Sequence, residues 1–141
     1  MQSQLAFESI TEKMDLPVLQ KNTDNRLSAI WAAASGDFDP IHYDDVYARK
    51  QKLPTTIVNG RLKMALLANW LFSFIGPVGR LKRVSARHQG MDLIGKTMTL
   101  KGCVARKYTN SGEQLVDCDI WIEDPEGNKT ATGSATFSLF T

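Results

Sequence analysis

Asn59-Gly60-Arg61-Leu62-Lys63-Met64-Ala65-Leu66-Leu67-Ala68-Asn69-Trp70-Leu71-Phe72-Ser73-Phe74-Ile75 is the stretch on which the fold turns. It opens on a capping residue and a glycine and is stopped by Gly76-Pro77, so its composition predicts a helix over 60–75. Beyond Lys63 it is apolar almost all round, and a helix of that kind must be buried. It is shorter than the roughly 20 residues a membrane span needs, so a protein layer has to cover it. The second half of the chain supplies that layer. Residues 81–87, 97–108, 114–123 and 129–139 alternate or are rich in β-branched side chains, which predicts four antiparallel strands. Asn110-Ser111-Gly112, Asp92-Leu93-Ile94-Gly95 and Asp124-Pro125-Glu126-Gly127-Asn128 read as turns, the last a hairpin. A weaker strand pattern lies in 7–10 or 17–22. The expected fold class is α+β, with an antiparallel sheet wrapped around one long buried helix.

Before that helix the pattern is helical. Leu27, Ile30, Trp31 and Ala34 share a spacing that predicts a helix over 24–34, with Thr23 as its N-cap and Gly36 just past its end. Asp44 reads as the N-cap of a shorter helix ending near Lys50.

The chain has 141 residues, 43% apolar and 23% charged, which is the size and composition of one globular domain spanning 1–141. Seventeen basic residues against 15 acidic ones leave a formal charge of +2. That balance argues against a nucleic-acid or anionic-membrane partner. Met1-Gln2-Ser3-Gln4 has no basic, apolar leader pattern, and Cys103 and Cys118 form no disulfide framework or metal spacing. Both features lead one to expect a cytoplasmic location.

The densest polar group is Asp37-Phe38-Asp39-Pro40-Ile41-His42-Tyr43-Asp44-Asp45. Pro40 stiffens the loop and biases Asp39 toward extended backbone. Three readings fit the residues: Asx-turns with a hydrogen-bonded loop histidine, an acid–base pair of Asp37 and His42, or a metal site drawing on Asp37, Asp39 or Asp44 with His42 and His88. The last lacks a recognised ligand spacing. Asn59-Gly60 reads either as a cap with a tight-packing glycine or as amide hydrogens that hold a developing oxyanion. Arg80, Lys82, Arg83, Arg87, His88, Lys96, Lys101, Arg106 and Lys107 read as a solvated strand face or as a contact for ligand phosphates.

Ala34-Ser35-Gly36-Asp37-Phe38-Asp39-Pro40-Ile41-His42-Tyr43-Asp44 resembles the hydratase motif of the MaoC-like dehydratases, the (R)-specific enoyl-CoA hydratases. Thr56-Ile57-Val58-Asn59-Gly60-Arg61-Leu62 is similar to the segment that opens that family's central helix, and Gly90–Thr99 to its approach to a long strand. The resemblance covers roughly residues 15 to 140 and implies a hot-dog fold. It implies a hydratase or dehydratase of acyl thioesters, in which Asp37 and His42 add water to a trans-2-enoyl thioester or remove it from an (R)-3-hydroxyacyl thioester. It places Gly60 and Asn59 at the thioester oxygen and Ser35, Asp39, Pro40, Ile41 and Arg61 along the substrate. It implies no cofactor and no metal, an acyl-CoA or acyl carrier protein thioester as ligand, and a homodimer or a heterodimer with another hot-dog chain.

The chain departs from the family pattern at four positions. Asp39 stands for Asn and adds a charge expected to raise a neighbouring pKa. Asn59 stands for His and keeps the capping chemistry. Arg61 and Lys63 occupy apolar or small positions and oppose the helix dipole, so they are expected to meet something negative in a partner subunit or the ligand. These departures also fit a non-catalytic or half-site subunit. A thioesterase is disfavoured because no acid lies between Asn59 and Gly76. Trp31, Trp70 and Trp121 are expected in the core.

Overall fold

The computed structural model describes residues 5–140. Three helices and five strands follow one another: β1 (Leu19–Asn22), α1 (Asn25–Ser35), α2 (Asp45–Lys50), α3 (Gly60–Ile75), β2 (Gly79–His88), β3 (Thr97–Asn110), β4 (Glu113–Glu123) and β5 (Lys129–Leu139). Short 3₁₀ turns sit at Phe7–Ser9, Pro40–His42 and Gly76–Val78. Helix α3 has the bounds its sequence predicts, and the four predicted strands are present. The fifth strand, β1, lies within 17–22, whereas 7–9 forms one of the 3₁₀ turns.

The sheet is antiparallel throughout, in the order β1-β3-β4-β5-β2. Period-two alternation sends Met98, Leu100 and Val104 of β3 and Val116, Cys118, Ile120 and Ile122 of β4 into the core. There they meet Leu62, Leu67, Trp70, Leu71 and Ile75 of α3, giving the hot-dog arrangement of a curled sheet around a helix. Gly102 allows close approach: a Cβ there would stand 3.1 Å from the Trp70 ring. The indole then donates through Nε1 to the Pro17 carbonyl at 2.9 Å, so Trp70 is a core residue with its polar atom satisfied. Trp31 packs against the same core from α1, while Trp121 lies under the Lys129 ammonium.

Hairpin chemistry follows the sequence. Ser111 and Gly112 both take positive φ, 50° and 77°, and close β3 onto β4 with two residues. The Asp124 carboxylate accepts from the Glu126 and Asn128 amides and closes β4 onto β5. The cap of α1 lies one residue from its predicted place. Asp24 accepts from Leu27 N at 2.8 Å, whereas Thr23 is buried and donates to the Lys96 carbonyl. Gly36 ends α1 in the left-handed region, as predicted.

Helix α3 is not covered on all sides by its own chain. Phe72 is 57% exposed, and Asn69 and Ser73 are exposed beside it. Among the described residues no helix is long and apolar enough to cross a membrane.

Candidate active site

The segment from Ser35 to His42 is held in place by its own side chains. Ser35 Oγ accepts from the Asp37 amide at 3.2 Å, Asp37 Oδ1 from the Asp39 amide at 3.3 Å, and Asp39 Oδ1 from the Ile41 amide at 3.1 Å. Asp39 thereby caps the turn Pro40–His42, whose first position Pro40 suits. Tyr43 folds back and donates to the Phe38 carbonyl at 2.8 Å. These Asx-turns exist, and they do not compete with a reactive pair, because each leaves part of the acid or the imidazole free.

Three hydrogen bonds carry this loop to the start of α3. The Ile57 amide donates to the Ile41 carbonyl at 3.2 Å. His42 Nδ1 lies 2.8 Å from the Ile57 carbonyl, 15 residues away. Asn59 Nδ2 donates to Asp37 Oδ2 at 2.8 Å, 22 residues away. A carbonyl can only accept, so Nδ1 of His42 carries a proton, and in the neutral ring Nε2 is the nitrogen with the lone pair. Asp37, His42, Asn59 and Gly60 are thus brought together, with Asp37 and His42 both half-buried.

Asn59 has two tasks. It is 5% exposed, and its Oδ1 accepts from Arg61 N at 2.8 Å and Leu62 N at 3.4 Å. Its backbone carbonyl takes Lys63 N at 3.0 Å. Of the first-turn amides, Gly60 N–H alone has no acceptor among the described residues.

The electrostatics reverse one expectation. Asp37 is held below its usual carboxylate range, first by the Asn59 side chain, then by the Asp39 amide, with further help from the His42 and Arg61 charges. The contribution of Asp39 is therefore a backbone donor that favours the anion, not a charge that pushes the pKa up. Asp37 is a carboxylate at neutral pH. Asn59→Ala is expected to raise the Asp37 titration midpoint toward its ordinary value, read by carboxyl ¹³C shifts, and to cost about 1 kcal/mol of stability through the lost cap. An unmoved midpoint would show that Asn59 does not hold the carboxylate.

The two first-turn cations part company. Arg61 is exposed and adds positive potential at Asp37. Lys63 is 2% exposed and is turned into its own chain. Its Nζ lies 2.7 Å from Asp92 Oδ2 and donates to the Gly90 and Thr130 carbonyls at 3.2 and 3.3 Å. Thr130 Oγ1 donates to the same Asp92 oxygen at 2.6 Å. The negative group anticipated for Lys63 belongs to its own chain.

Three residues of the basic stretch are neutralised locally. Lys82 pairs with Glu113, Lys101 with Glu123 and Arg106 with Asp117. Among the described residues no group of three or more His, Cys, Asp and Glu side chains is placed to hold a metal ion. Burial pushes the Cys118 thiol up to about 12 and raises that of Cys103, so neither is a poised nucleophile. The residue that sequence reasoning placed only among the basic positions and the metal candidates is His88. Its ring lies against Gly60, where a Cβ would stand 3.1 Å from Cδ2 and 3.2 Å from Nε2.

Comparison with known proteins adds three findings. The MaoC-like domain matches residues 7–118. The peroxisomal hydratase-dehydrogenase-epimerase of Saccharomyces cerevisiae is 34% identical over 77 residues, 55% of this chain and 8% of that protein. The chain therefore spans less than a tenth of the length of this curated relative. Among solved structures, the (R)-hydratase of A. caviae involved in PHA biosynthesis superposes with a TM-score of 0.84 at 22% identity, over 94% of this chain and 99% of that one. The ChsH1-ChsH2 complex of Mycobacterium tuberculosis gives 0.80 at 22% identity, over 92% and 98%. At such identities the likeness is one of fold.

Proposed function

The chain belongs to the family of the MaoC-like domain, and from that membership we propose that it is a hydratase or dehydratase of acyl thioesters, interconverting trans-2-enoyl and (R)-3-hydroxyacyl forms. The observation that carries this reading is the 2.8 Å bond from Asn59 to Asp37. It joins a loop carboxylate, and through the loop an imidazole with a free Nε2, to the free amide at the head of a buried helix. The match to a domain of a yeast protein named as a hydratase and the fold shared with an (R)-hydratase support it.

In the proposed reaction a water molecule lies between Asp37 and His42 Nε2. Its oxygen bonds to C3 while one of its protons passes to the pair. The electrons of the C2–C3 double bond move toward the thioester, whose oxygen takes up negative charge and is held by the Gly60 N–H. The pair then returns a proton to C2, and no atom is left over. Ser35, Asp39, Pro40 and Ile41 keep the loop in shape, while Arg61 adds positive potential at the mouth.

We also propose that the chain works as a dimer, with itself or with another hot-dog chain. The exposed Phe72 on α3 supports this, as does the fold shared with the ChsH1-ChsH2 complex. The edge strand β2 carries Arg80, Lys82, Arg83 and Arg87, so self-pairing there brings like charges together and a less basic partner is favoured.

The test is a panel of short, long and ring-bearing enoyl-CoAs, followed at the ultraviolet absorbance of the conjugated thioester. Loss of that absorbance with formation of the (R)-3-hydroxyacyl product supports the proposal. Activity only after a second hot-dog chain is added supports a half-site subunit instead. Release of free thiol without hydration overturns the hydratase reading in favour of hydrolysis.

A further inference from the structure

Gly60 has little room for a side chain. The ring atoms Cδ2, Nε2 and Cγ of His88 would lie 3.1, 3.2 and 3.6 Å from a Cβ at that position. The glycine is what lets an imidazole lie directly on the first residue of the helix. A Cβ is about 2.5 Å from its own backbone nitrogen. Nε2 of His88 is therefore within about 6 Å of the Gly60 nitrogen, a span that one acceptor oxygen bridges at about 2.9 Å from each. The Gly60 N–H has no acceptor among the described residues, and the structure records no hydrogen bond for either ring nitrogen of His88 among them. Two groups without partners thus lie close enough to share one acceptor, and His88 is exposed.

The imidazole is held there by a buried frame. His88 ends β2, paired with Ala131. The next two residues, Gln89 and Gly90, both donate their amides to the Thr130 carbonyl. Lys63, one turn beyond Gly60, reaches that same carbonyl, the Gly90 carbonyl and the Asp92 carboxylate. The helix that carries Gly60 therefore also clamps the strand end that carries His88. This gives the buried cation at position 63 a purpose that a solvated or ligand-facing lysine would not serve.

We infer that His88 is a further residue of the thioester site: its Nε2–H and the Gly60 N–H together cradle the thioester oxygen, with the Lys63–Asp92 pair as positioning residues behind them. The inference deepens the hydratase reading and rests on it. The charge state suits the role. Partial desolvation of the ring where it packs on Gly60, and then the Lys63 ammonium, favour the neutral form, with Asp92 opposing them. A neutral imidazole donates a hydrogen bond without giving up its proton to a weakly basic enolate oxygen. The donor acts where charge accumulates, so its loss falls on kcat more than on KM.

The experiment compares wild type, His88→Ala, His88→Gln and Asp37→Asn in hydration of crotonyl-CoA. The carbonyl stretch of crotonyl-CoA bound to the slow Asp37→Asn background is recorded with and without His88→Ala. The expected result is a fall in kcat of about 10²-fold in His88→Ala with KM nearly unchanged. His88→Gln, whose amide NH₂ reaches the Nε2 position, should recover part of the rate. The bound carbonyl stretch should move toward its value in free crotonyl-CoA when His88 is removed. Full kcat in His88→Ala, with Asp37→Asn impaired, overturns this inference and leaves the hydratase reading standing. Equal losses in Ala and Gln, or a rise in KM alone, assign His88 to packing and also overturn it. No hydration by wild type on any enoyl thioester, and no carbonyl shift, overturns both.

Discussion

Asp37→Asn is expected to slow enoyl-thioester hydration by about 10²–10⁴-fold, the range that a positioned acid or base supplies. In the wild type, Oδ2 accepts from Asn59 Nδ2 and Oδ1 from the Asp39 amide; an asparagine has one oxygen and keeps one of these two bonds. The chemical loss is a group that takes a proton. His42→Ala should show a similar loss, because the Ile57 carbonyl then orients nothing and no Nε2 lone pair is left. Steady-state rates on the substrate that wild type prefers, with circular dichroism to confirm the fold, decide the matter. Full activity in both variants would remove the proposed mechanism.

The second large effect is on stability. Lys63→Ala leaves the Asp92 carboxylate buried without its cation, in a place where its Oδ1 already lacks a partner. Breaking one side of a buried pair costs about 3–5 kcal/mol, which for a chain of this size is a fall in Tm of about 10–15 °C. Removing both charges together has a different outcome. Lys63→Met with Asp92→Asn keeps an acceptor for Thr130 Oγ1 and should recover most of the loss. A thermal or denaturant double-mutant cycle measures the coupling. A loss in Lys63→Ala below about 1 kcal/mol, typical of a surface pair, would mean that Lys63 is solvated.

The contrast between Lys63 and its neighbours shows what a sequence can and cannot display. Helix α3, the Asp124–Asn128 turn and the Gly36 cap are local matters: spacing, a short carboxylate and a missing Cβ write them into consecutive residues. The polar loop was legible for the same reason, since Asp37, Asp39 and Pro40 shape it among themselves. The bond from Asn59 to Asp37 was not legible from spacing, although the resemblance had already placed both residues at one site. Lys63 was misread because its partner is distant in the chain, and a lysine in a first turn looks like any solvated cation until Asp92 is brought beneath it. His88 was missed for the opposite reason: nothing near it in sequence is unusual, and its importance lies in what Gly60 lacks. The cap of α1 shifted by one residue because Thr23 was claimed by the approach to β3, which no local pattern records.

The clasp of Ile41, His42 and Asp37 onto residues 57–59 has a bearing on how such a protein diversifies. Each of its three bonds is anchored before α3 begins. Met64, Ala65 and Ala68, farther along the helix, contribute nothing to it. The loop's attachment thus rests on residues 57–59 alone, and substitutions of bulk at those later positions are expected to leave its placement unchanged.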